Sequence, residues 1–380
     1  MCSFKTLLPA LLFGIAPGTG VLAQFGVQQE VYREGPVVLQ VVDIDADGQN
    51  DLLIGAREGV SCLMNDNGSL GTSVLIGTTA VVAHAADVNG DGLIDVIGGG
   101  EGQGGIFWFE NGGPQGFVAT HTISTWQVAK WIHAWDADQD GDKDLLFALN
   151  GGTIAWSENT DGLGAFAALE VLETVMGMST VNAFDVDLDG DLDPVISALT
   201  IKQLFWIPNN GGAFAPMEVL SAQGYGMVGD VDGDGLADLM MANDLNAQMQ
   251  WERRVADTYV PAGPVDPNGL IAERFSLTDL DGDGDRDLVV ALELSNEIAV
   301  YENIDGQGTY GPREVIGTGL GDVRMVTAGD MDGDGDKEIF VACGSQNKVV
   351  WFENLRFAQD RIVGRVFNDR NGDGVFNATD

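Results

Sequence analysis

A short acidic segment recurs seven times along this chain, and its recurrence constrains the fold more than any other feature. The sixth copy reads Asp-Leu-Asp-Gly-Asp-Gly-Asp-Arg-Asp from Asp279 to Asp287, with carboxylates at positions 1, 3, 5, 7 and 9. A period of 44–51 residues is typical of β-propellers, in which each repeat forms one four-stranded blade. The seven copies begin at Asp43, Asp87, Asp136, Asp185, Asp230, Asp279 and Asp330.

The chemistry of the repeated segment indicates calcium. Ca²⁺ takes about six to eight oxygen ligands, which a tight loop of alternating aspartates can supply. Glycines such as Gly282 and Gly284 permit the positive φ angles that wrap a backbone round an ion. Without a cation, neighbouring carboxylates would repel one another. The segment therefore favours a calcium-binding loop over a solvated acidic turn.

Apolar runs flank every acidic segment and predict β-strands. Residues 37–42 precede the first segment, and residues 144–148 follow the third. A third run follows in each repeat, and five of the eight tryptophans occupy one column of it, which indicates core packing between blades rather than a ligand site. These runs predict an all-β fold, a seven-bladed β-propeller of four-stranded blades. The five tryptophans are Trp108, Trp156, Trp206, Trp251 and Trp351.

The fourth strand of each blade is predicted from runs such as residues 166–172, 214–220 and 310–316. The seventh repeat has no such run after Asn354, but residues 25–31 match the pattern. We therefore predict that the N-terminal strand completes the seventh blade and closes the ring, which removes an exposed sheet edge.

The segment between Trp251 and Phe275 departs from the repeat. Pro261, Pro264 and Pro267 interrupt it. They predict a long surface loop and obscure the fourth strand of the fifth blade.

The two ends of the chain indicate an exported protein. Residues 1–23 read as a signal peptide, with Lys5, an apolar core and a Val-Leu-Ala cleavage site. The apolar core is too short and too interrupted by proline to span a membrane, and no other run is long enough. Residues 358–380 read as a linker and the truncated start of a further module. We therefore expect a secreted or cell-surface protein that forms part of a longer surface protein.

Net charge and cysteine content bear on two questions, namely whether the chain binds nucleic acid and whether it contains a disulfide. The net charge is −40, with only 18 lysines and arginines and no basic patch, so nucleic acid is not an expected partner. Cys62 and Cys343 fall in the first and last blades, which are neighbours in a ring. A disulfide between them would staple the ring, but we favour two buried thiols.

Residues 24–357 resemble the FG-GAP or VCBS repeat family, the calcium-bearing seven-bladed propellers similar to the head of integrin α chains. The resemblance rests on the motif Asp-x-Asp-x-Asp-Gly-x-x-Asp-Leu, repeated seven times in register. The C-terminal segment resembles the start of an SdrD B-like or Cna-B-like module of bacterial surface proteins.

This resemblance implies up to seven structural Ca²⁺ ions, each held by side chains 1, 3, 5 and 9 of its loop and by the main-chain carbonyl of residue 7. Asn89 removes one charge from the second site, and Glu338 is a longer ligand at the seventh. The implied side-chain ligands are Asp43, Asp45, Asp47 and Asp51; Asp87, Asn89, Asp91 and Asp95; Asp136, Asp138, Asp140 and Asp144; Asp185, Asp187, Asp189 and Asp193; Asp230, Asp232, Asp234 and Asp238; Asp279, Asp281, Asp283 and Asp287; and Asp330, Asp332, Asp334 and Glu338.

No catalytic motif is present: there is no His-Glu-x-x-His, no Gly-x-Ser-x-Gly and no Cys/His zinc spacing. His84, His121 and His133 lie in or beside strand patterns, so we interpret them as packed or surface residues. We do not expect an enzyme.

The first hypothesis is a calcium-stabilised scaffold that binds a glycan or an extracellular protein through loops opposite the calcium face. Trp126, Trp131 and Tyr225 are its candidate ligand-binding residues; core packing is their alternative role. The second hypothesis is a polysaccharide lyase or hydrolase on a propeller, in which Ca²⁺ or a carboxylate pair does the chemistry. Seven near-equivalent calcium sites argue against it, because repetition points to structural use. The third is a structural spacer in a longer adhesin.

Overall fold

The computed structural model of the protein describes residues 25–355, apart from 67, 79, 101–103, 244–247, 257, 267–271, 273 and 293–294. Within this part, the chain forms seven antiparallel four-stranded sheets and one 3-10 turn at Gly113–Gln115. The predicted all-β, seven-bladed propeller is confirmed. The predicted signal peptide (1–23) and the predicted linker and further module (358–380) lie outside the described residues.

Six blades use four consecutive strands each, and the seventh combines the two ends of the described chain. Blades 1 to 3 comprise β2–β5 (Pro36–Val42, Asp51–Ala56, Gly59–Asn65, Leu70–Gly77), β6–β9 (Val82–Ala86, Asp95–Gly99, Ile106–Asn111, Phe117–Ser124) and β10–β13 (Ala129–Trp135, Asp144–Leu149, Thr153–Ser157, Glu170–Thr174). Blades 4 to 6 comprise β14–β17 (Met178–Phe184, Asp193–Ala198, Gln203–Trp206, Glu218–Ser221), β18–β21 (Tyr225–Gly229, Asp238–Asn243, Gln248–Val255, Thr258–Pro264) and β22–β25 (Arg274–Thr278, Asp287–Leu292, Glu297–Tyr301, Glu314–Thr318). Blade 7 comprises β26–β28 (Val323–Gly329, Glu338–Cys343, Lys348–Phe352) and β1 (Gln29–Tyr32).

The second strand of each blade lies in the core. In β11 all six residues are buried, and the same holds for β3, β15, β23 and β27. A strand covered on both faces reads as a continuous apolar run rather than an alternating one. By contrast, outer strand β13 contains no buried residue. The apolar cores therefore lie between the blades, in clusters that join each sheet to its neighbour.

The tryptophan column packs between blades, as predicted. Trp108 of blade 2 is 3% exposed and lies against Gly164 of blade 3. A Cβ on Gly164 would approach the indole to 2.6 Å, and the φ of Gly164 is +87°. Gly308 takes the same place against Trp251, with φ +80°. Both positions therefore require glycine for space and for backbone conformation.

The outer strand of blade 7 comes from the N-terminal end of the described chain. Strand β1 pairs antiparallel with β28, so that Gln29 lies opposite Trp351. Next to it, the Gly26 N–H donates to the Glu353 carbonyl at 2.7 Å. The inner strands of blades 7 and 1 also meet, because the Leu39 N–H contacts Met325 Sδ at 3.2 Å.

The fourth strands begin later than the sequence pattern predicts. Strands β13 and β25 start at Glu170 and Glu314, and the aromatic residues before them form only isolated bridges. Phe166 bridges Asn159, and Tyr310 bridges Asn303. In blade 6, Pro312 follows the bridge and has no N–H to donate, so regular pairing resumes only beyond it.

The prediction of a long surface loop in blade 5 is wrong over most of its length. Residues Thr258–Pro264 form β21, which pairs with β20 as a regular fourth strand. Pro261 and Pro264 are tolerated because β21 is an edge strand, where an N–H need not join the sheet. The register shifts between Trp251 and Glu252, opposite these prolines.

The two cysteines are free and buried. Burial raises the pKa of the Cys343 thiol to about 11, and it raises that of Cys62 further. Both behave as small apolar residues of the core, which is the interpretation that the sequence favoured over a disulfide.

Candidate metal loops and central cavity

Each acidic segment forms a loop between the first and second strands of its blade. We call these carboxylate loops 1 to 7 and number their positions from the first aspartate. In blade 3, β10 ends at Trp135 and β11 starts at Asp144, so positions 1 to 8 lie outside the sheet and position 9 begins the next strand. The same boundaries recur in all seven blades, so the loops share one face of the ring.

The carboxylate at position 9 fastens the loop to the blade. Asp144 is 1% exposed, and its two oxygens accept N–H bonds from Ala137 at 2.9 Å and Asn159 at 2.8 Å. Burial raises the pKa of Asp144 to about 6, although these bonds oppose the shift. The bond from the position 2 N–H is present in every loop. Position 9 therefore has a structural role whether or not it also binds a cation.

The remaining carboxylates turn inward and are held by backbone N–H groups of their own loop. Asp279 accepts from Gly282 at 2.7 Å and from Gly284 at 3.2 Å. Asp281 and Asp283 each accept from the residue two positions further on. These bonds fix the side-chain oxygens in a tight group before any ligand is present.

At least five loops bring three carboxylates close enough to share one cation, with ligand atoms within 4.8 Å of one another. Four of these groups use positions 1, 3 and 9, and loop 5 uses positions 1, 3 and 5. The groups are Asp43, Asp45 and Asp51; Asp136, Asp138 and Asp144; Asp185, Asp187 and Asp193; Asp230, Asp232 and Asp234; and Asp279, Asp281 and Asp287. All the predicted metal ligands, in these groups and in the other loops, stay predictions.

The electrostatics of the carboxylate loops suit a cation. Buried oxygens with no hydrogen-bond donor include Asp136 Oδ1, Asp334 Oδ2 and Glu338 Oε1. A buried carboxylate oxygen without a donor is costly unless a positive charge lies beside it. Burial, helped by nearby carboxylates, raises the pKa of Asp285 to about 7 and that of Glu338 to about 8. All-oxygen donors of this kind match hard cations such as Ca²⁺.

An asparagine column links six of the seven loops to the next blade, and the sequence analysis missed its role. Asn159, at the end of the third strand of blade 3, is 0% exposed and donates from Nδ2 to the Val88 carbonyl of loop 2 at 2.9 Å. Its own Oδ1 accepts from the Gly164 N–H. Equivalent bonds join Asn65 to Met331, Asn111 to Ile44, Asn209 to Ala137, Asn303 to Val231 and Asn354 to Leu280. We call these six bonds the asparagine clasps.

A central cavity of about 320 Å³ opens among the inner strands. Its lining includes the first residues of several inner strands, such as Tyr225 and Arg274, so it lies toward the face opposite the carboxylate loops. Hydroxyl and amide side chains line much of its wall beside aromatic rings. Polar lining residues include Thr180, Asn182, Ser276 and Thr327; the aromatic ones are Trp131, Tyr225 and Phe275.

The three candidate ligand-binding residues occupy different environments. Trp131 and Tyr225 line the cavity, although Tyr225 is only 3% exposed and donates its hydroxyl to the Ala272 carbonyl. Lys202 lies over the Tyr225 ring, 4.5 Å from its centre. Trp126 lies between β9 and β10, is 89% exposed and does not line the cavity. Whether any of the three binds a ligand stays a prediction.

The histidines are packed within or between blades. His84 and His133 lie on the inner strands β6 and β10, with ring centres 5.4 Å apart. Burial lowers the pKa of His84 to about 3 and that of His133 to about 4. His121 stacks on Trp108 and bonds Glu110 at 2.9 Å. Each ring thus has a packing partner.

A family model described as an FG-GAP-like repeat matches residues 43–97, 87–147, 136–196 and 279–341, which is more than half of the chain. This chain belongs to the FG-GAP-like repeat family. The matches confirm the predicted family resemblance, and they leave out the fifth carboxylate loop at residues 230–238. No curated protein matches the chain.

Solved structures with the same fold share little sequence with this FG-GAP protein. One is an Agrocybe aegerita lectin, reported for specific recognition of non-reducing terminal N-acetylglucosamine. It is 18% identical over 85% of this chain and 86% of its own, with a TM-score of 0.59. Another is a chain of the BBS1N–ARL6DN complex soaked with mercury, 12% identical over 88% of this chain and 97% of its own, with a TM-score of 0.61. At these identities the likeness shows the fold alone.

The described part of the chain contains no helix with the length and apolar character that a membrane crossing needs.

Proposed function

We propose that this FG-GAP propeller is an extracellular scaffold that binds a glycan in its central cavity and uses Ca²⁺ to stabilise its carboxylate loops. The cavity carries the proposal. Its wall combines the rings of Trp131 and Phe275 with the polar groups of Thr180, Asn182 and Thr327. Sugars present apolar ring faces and hydroxyl groups together, and a site that offers aromatic surface beside hydrogen-bonding side chains matches both.

The charge of the lining extends the ligand class to acidic sugars. Lys130, Arg274 and Arg324 line the cavity, and none of its described lining residues is acidic, in a chain with 58 aspartates and glutamates. Arg324 is itself paired with Asp322 at 2.9 Å, and Arg274 donates to the Arg324 carbonyl. The two arginines are therefore held in place, where they favour a carboxylate or sulfate over a second cation.

The calcium part of the proposal rests on the donor sets. Bound Ca²⁺ would neutralise the carboxylates at positions 1, 3, 5 and 9 of a loop. The protein itself does the rest: the N–H groups of Gly282 and Gly284 hold Asp279 in place, and Asp287 fastens the loop to its blade. The role is structural, because no residue of the carboxylate loops is among the described residues that line the cavity.

Membership of the FG-GAP-like repeat family supports the extracellular part of the proposal. FG-GAP repeats are typical of extracellular proteins, and extracellular calcium is abundant enough to fill even weak sites. The lectin with this fold recognises terminal N-acetylglucosamine, so glycans with that terminus belong in the first panel of ligands.

The test is a glycan array that contains neutral, N-acetylated and acidic glycans, followed by calorimetry with any glycan that binds. We expect binding by the wild type and loss of at least tenfold in affinity for Asn182→Leu and Thr327→Val, which remove polar groups from the cavity wall. Trp126→Ala is the matched control, because this ring lies outside the lining. Melting temperatures of all variants identify any loss that merely reflects unfolding.

Two results would overturn the cavity as the binding site. Binding that falls with Trp126→Ala but not with the two cavity variants would place the ligand on the outer loops. Release of new oligosaccharides from a polysaccharide, detected by mass spectrometry and abolished by EDTA, would instead indicate a calcium-dependent lyase or hydrolase.

A further inference from the structure

The fifth carboxylate loop is contacted by a guanidinium. Arg253, near the end of the third strand of blade 5, forms an ion pair from Nε to Asp232 and from Nη2 to Asp234 at 3.0 Å. These two aspartates occupy positions 3 and 5 of the loop. The corresponding residue is a glutamate in four other blades, namely Glu110, Glu158, Glu302 and Glu353.

We propose that Arg253 takes the place of Ca²⁺ in loop 5, so that the propeller binds calcium in its other loops but not in this one. The guanidinium donates to two of the four side chains predicted to bind the ion. Its positive charge beside Asp232 and Asp234 would also repel a divalent cation at those carboxylates. This inference rests on the proposed calcium role of the remaining loops.

The charge balance of loop 5 supports the assignment. The Asp232 side chain is 4% exposed, so its negative charge needs a partner inside the protein. Position 7 of this loop is Leu236, whereas four other loops carry an aspartate there: Asp142, Asp191, Asp285 and Asp336. Loop 5 therefore offers fewer acids than those loops and already has a cation.

Blade 5 is altered at the neighbouring residue as well. Arg254 stands where six blades have the clasp asparagine, and its Nε donates to the Ala256 carbonyl within its own blade. The Arg254 N–H still bonds Asp238 at 2.8 Å, so the loop keeps its link to the third strand. Two consecutive arginines thus replace the glutamate and asparagine of the repeat, and the FG-GAP family model does not match this loop.

The experiment counts calcium ions. The full chain is loaded with Ca²⁺, desalted, and examined by native mass spectrometry and elemental analysis. We expect six ions in the wild type and seven in Arg253→Gln, which frees the carboxylates of loop 5. Arg313→Gln is the matched control, because Arg313 pairs with Glu297 on blade 6 and touches no carboxylate loop, so its count should stay at six.

A second variant keeps the test decisive if Arg253→Gln fails to fold. Asp232→Asn should leave the count at six, whereas the same change at position 3 of loop 6, Asp281→Asn, should lower it to five. Seven ions in the wild type, or a count that falls with Asp232→Asn, would show that Arg253 does not take the place of Ca²⁺ in loop 5. Either result would leave the proposed calcium role of the other loops intact. No bound calcium in any variant would instead refute the calcium role from which this inference starts.

Discussion

Replacing Asn159 by alanine tests whether the asparagine clasps hold the ring together. The change removes the Nδ2 bond to the Val88 carbonyl of the preceding blade, 2.9 Å long, and the Oδ1 acceptor of the Gly164 N–H. The backbone N–H of residue 159 still bonds Asp144, so loop 3 keeps its own attachment. The variant therefore isolates the link between blades 2 and 3.

The expected cost follows from the two lost bonds. A buried hydrogen bond contributes about 1 kcal/mol, and leaving its partner unsatisfied costs about 1–3 kcal/mol. The bond to the Val88 carbonyl is buried and the bond from the Gly164 N–H is partly buried. We therefore expect the free energy of unfolding to fall by about 2–4 kcal/mol. An unfolding entropy of about 2.1 cal/mol/K per residue gives near 0.7 kcal/mol/K for roughly 330 residues. The melting temperature should then fall by about 3–6 °C.

Calorimetry in calcium-containing buffer at one scan rate measures this shift. Asn150→Ala is the matched control, because Asn150 is exposed in a turn of the same blade and its side chain accepts from the neighbouring Gly151 N–H, while its backbone bond to the Val128 carbonyl is kept. Its effect should stay within about 0.5 kcal/mol. If Asn159→Ala melts like the control, the clasp contributes nothing and the argument from buried hydrogen bonds is wrong.

Calcium removal and pH give two further predictions. Free Ca²⁺ at 100 times the dissociation constant of a site stabilises the folded protein by about 2.7 kcal/mol. EDTA should therefore lower the melting temperature by about 4 °C for each occupied site. A melting temperature that EDTA leaves unchanged would contradict structural calcium. Burial holds the pKa of His84 near 3 and that of His133 near 4, so the folded protein binds fewer protons than the unfolded chain below about pH 6.5. These rings should therefore destabilise the folded protein increasingly as the pH falls from 6.5 to 4. The double variant His84→Gln/His133→Gln should show a smaller drop in melting temperature over that range than the wild type.

The repeat made the architecture predictable. One acidic segment with flanking apolar runs is a weak signal, but seven copies in register fix the period, the number of blades and the strand order. The loop boundaries follow as well, since Asp144 and its equivalents both end the loop and begin a strand. The boundary falls at position 9 because its carboxylate is buried at the start of the strand, where it accepts the two N–H hydrogen bonds that hold the loop.

Packing of the tryptophan column between blades was predicted from the repeat, but the hydrogen bonds between blades could not be derived in this way. The clasp asparagines were visible as a column, but the partner of Asn159 lies 71 residues earlier, and sequence spacing does not identify a carbonyl acceptor. The prolines of β21 were misread because an edge strand and a loop have the same local composition. Likewise, Trp126 and Trp131 lie five residues apart, and only the structure separates an exposed ring from a cavity wall.

The clasps join six of the seven carboxylate loops to the next blade, which predicts where the ring opens first. In loop 1, the Ile44 N–H is held by Asp51 of its own blade, and the Ile44 carbonyl is held by Asn111 of blade 2. Movement of a loop therefore strains hydrogen bonds to both of the blades that it joins. This chain of links is interrupted at one boundary among the described residues, between blades 4 and 5, where Arg254 replaces the asparagine.

We therefore expect the boundary between blades 4 and 5 to be the least protected in hydrogen exchange. Amides of β15 and β19 should exchange through sub-global opening at lower denaturant than those of β11, which lies between two clasped boundaries. Chelation should widen the opened region outward from blades 4 and 5, because the Ca²⁺ proposed for the remaining loops would stabilise the segments whose position 2 carbonyls accept the clasps. Equal protection of all seven second strands, with and without EDTA, would show that packing between the blades, not the clasps, sets the order in which the ring opens.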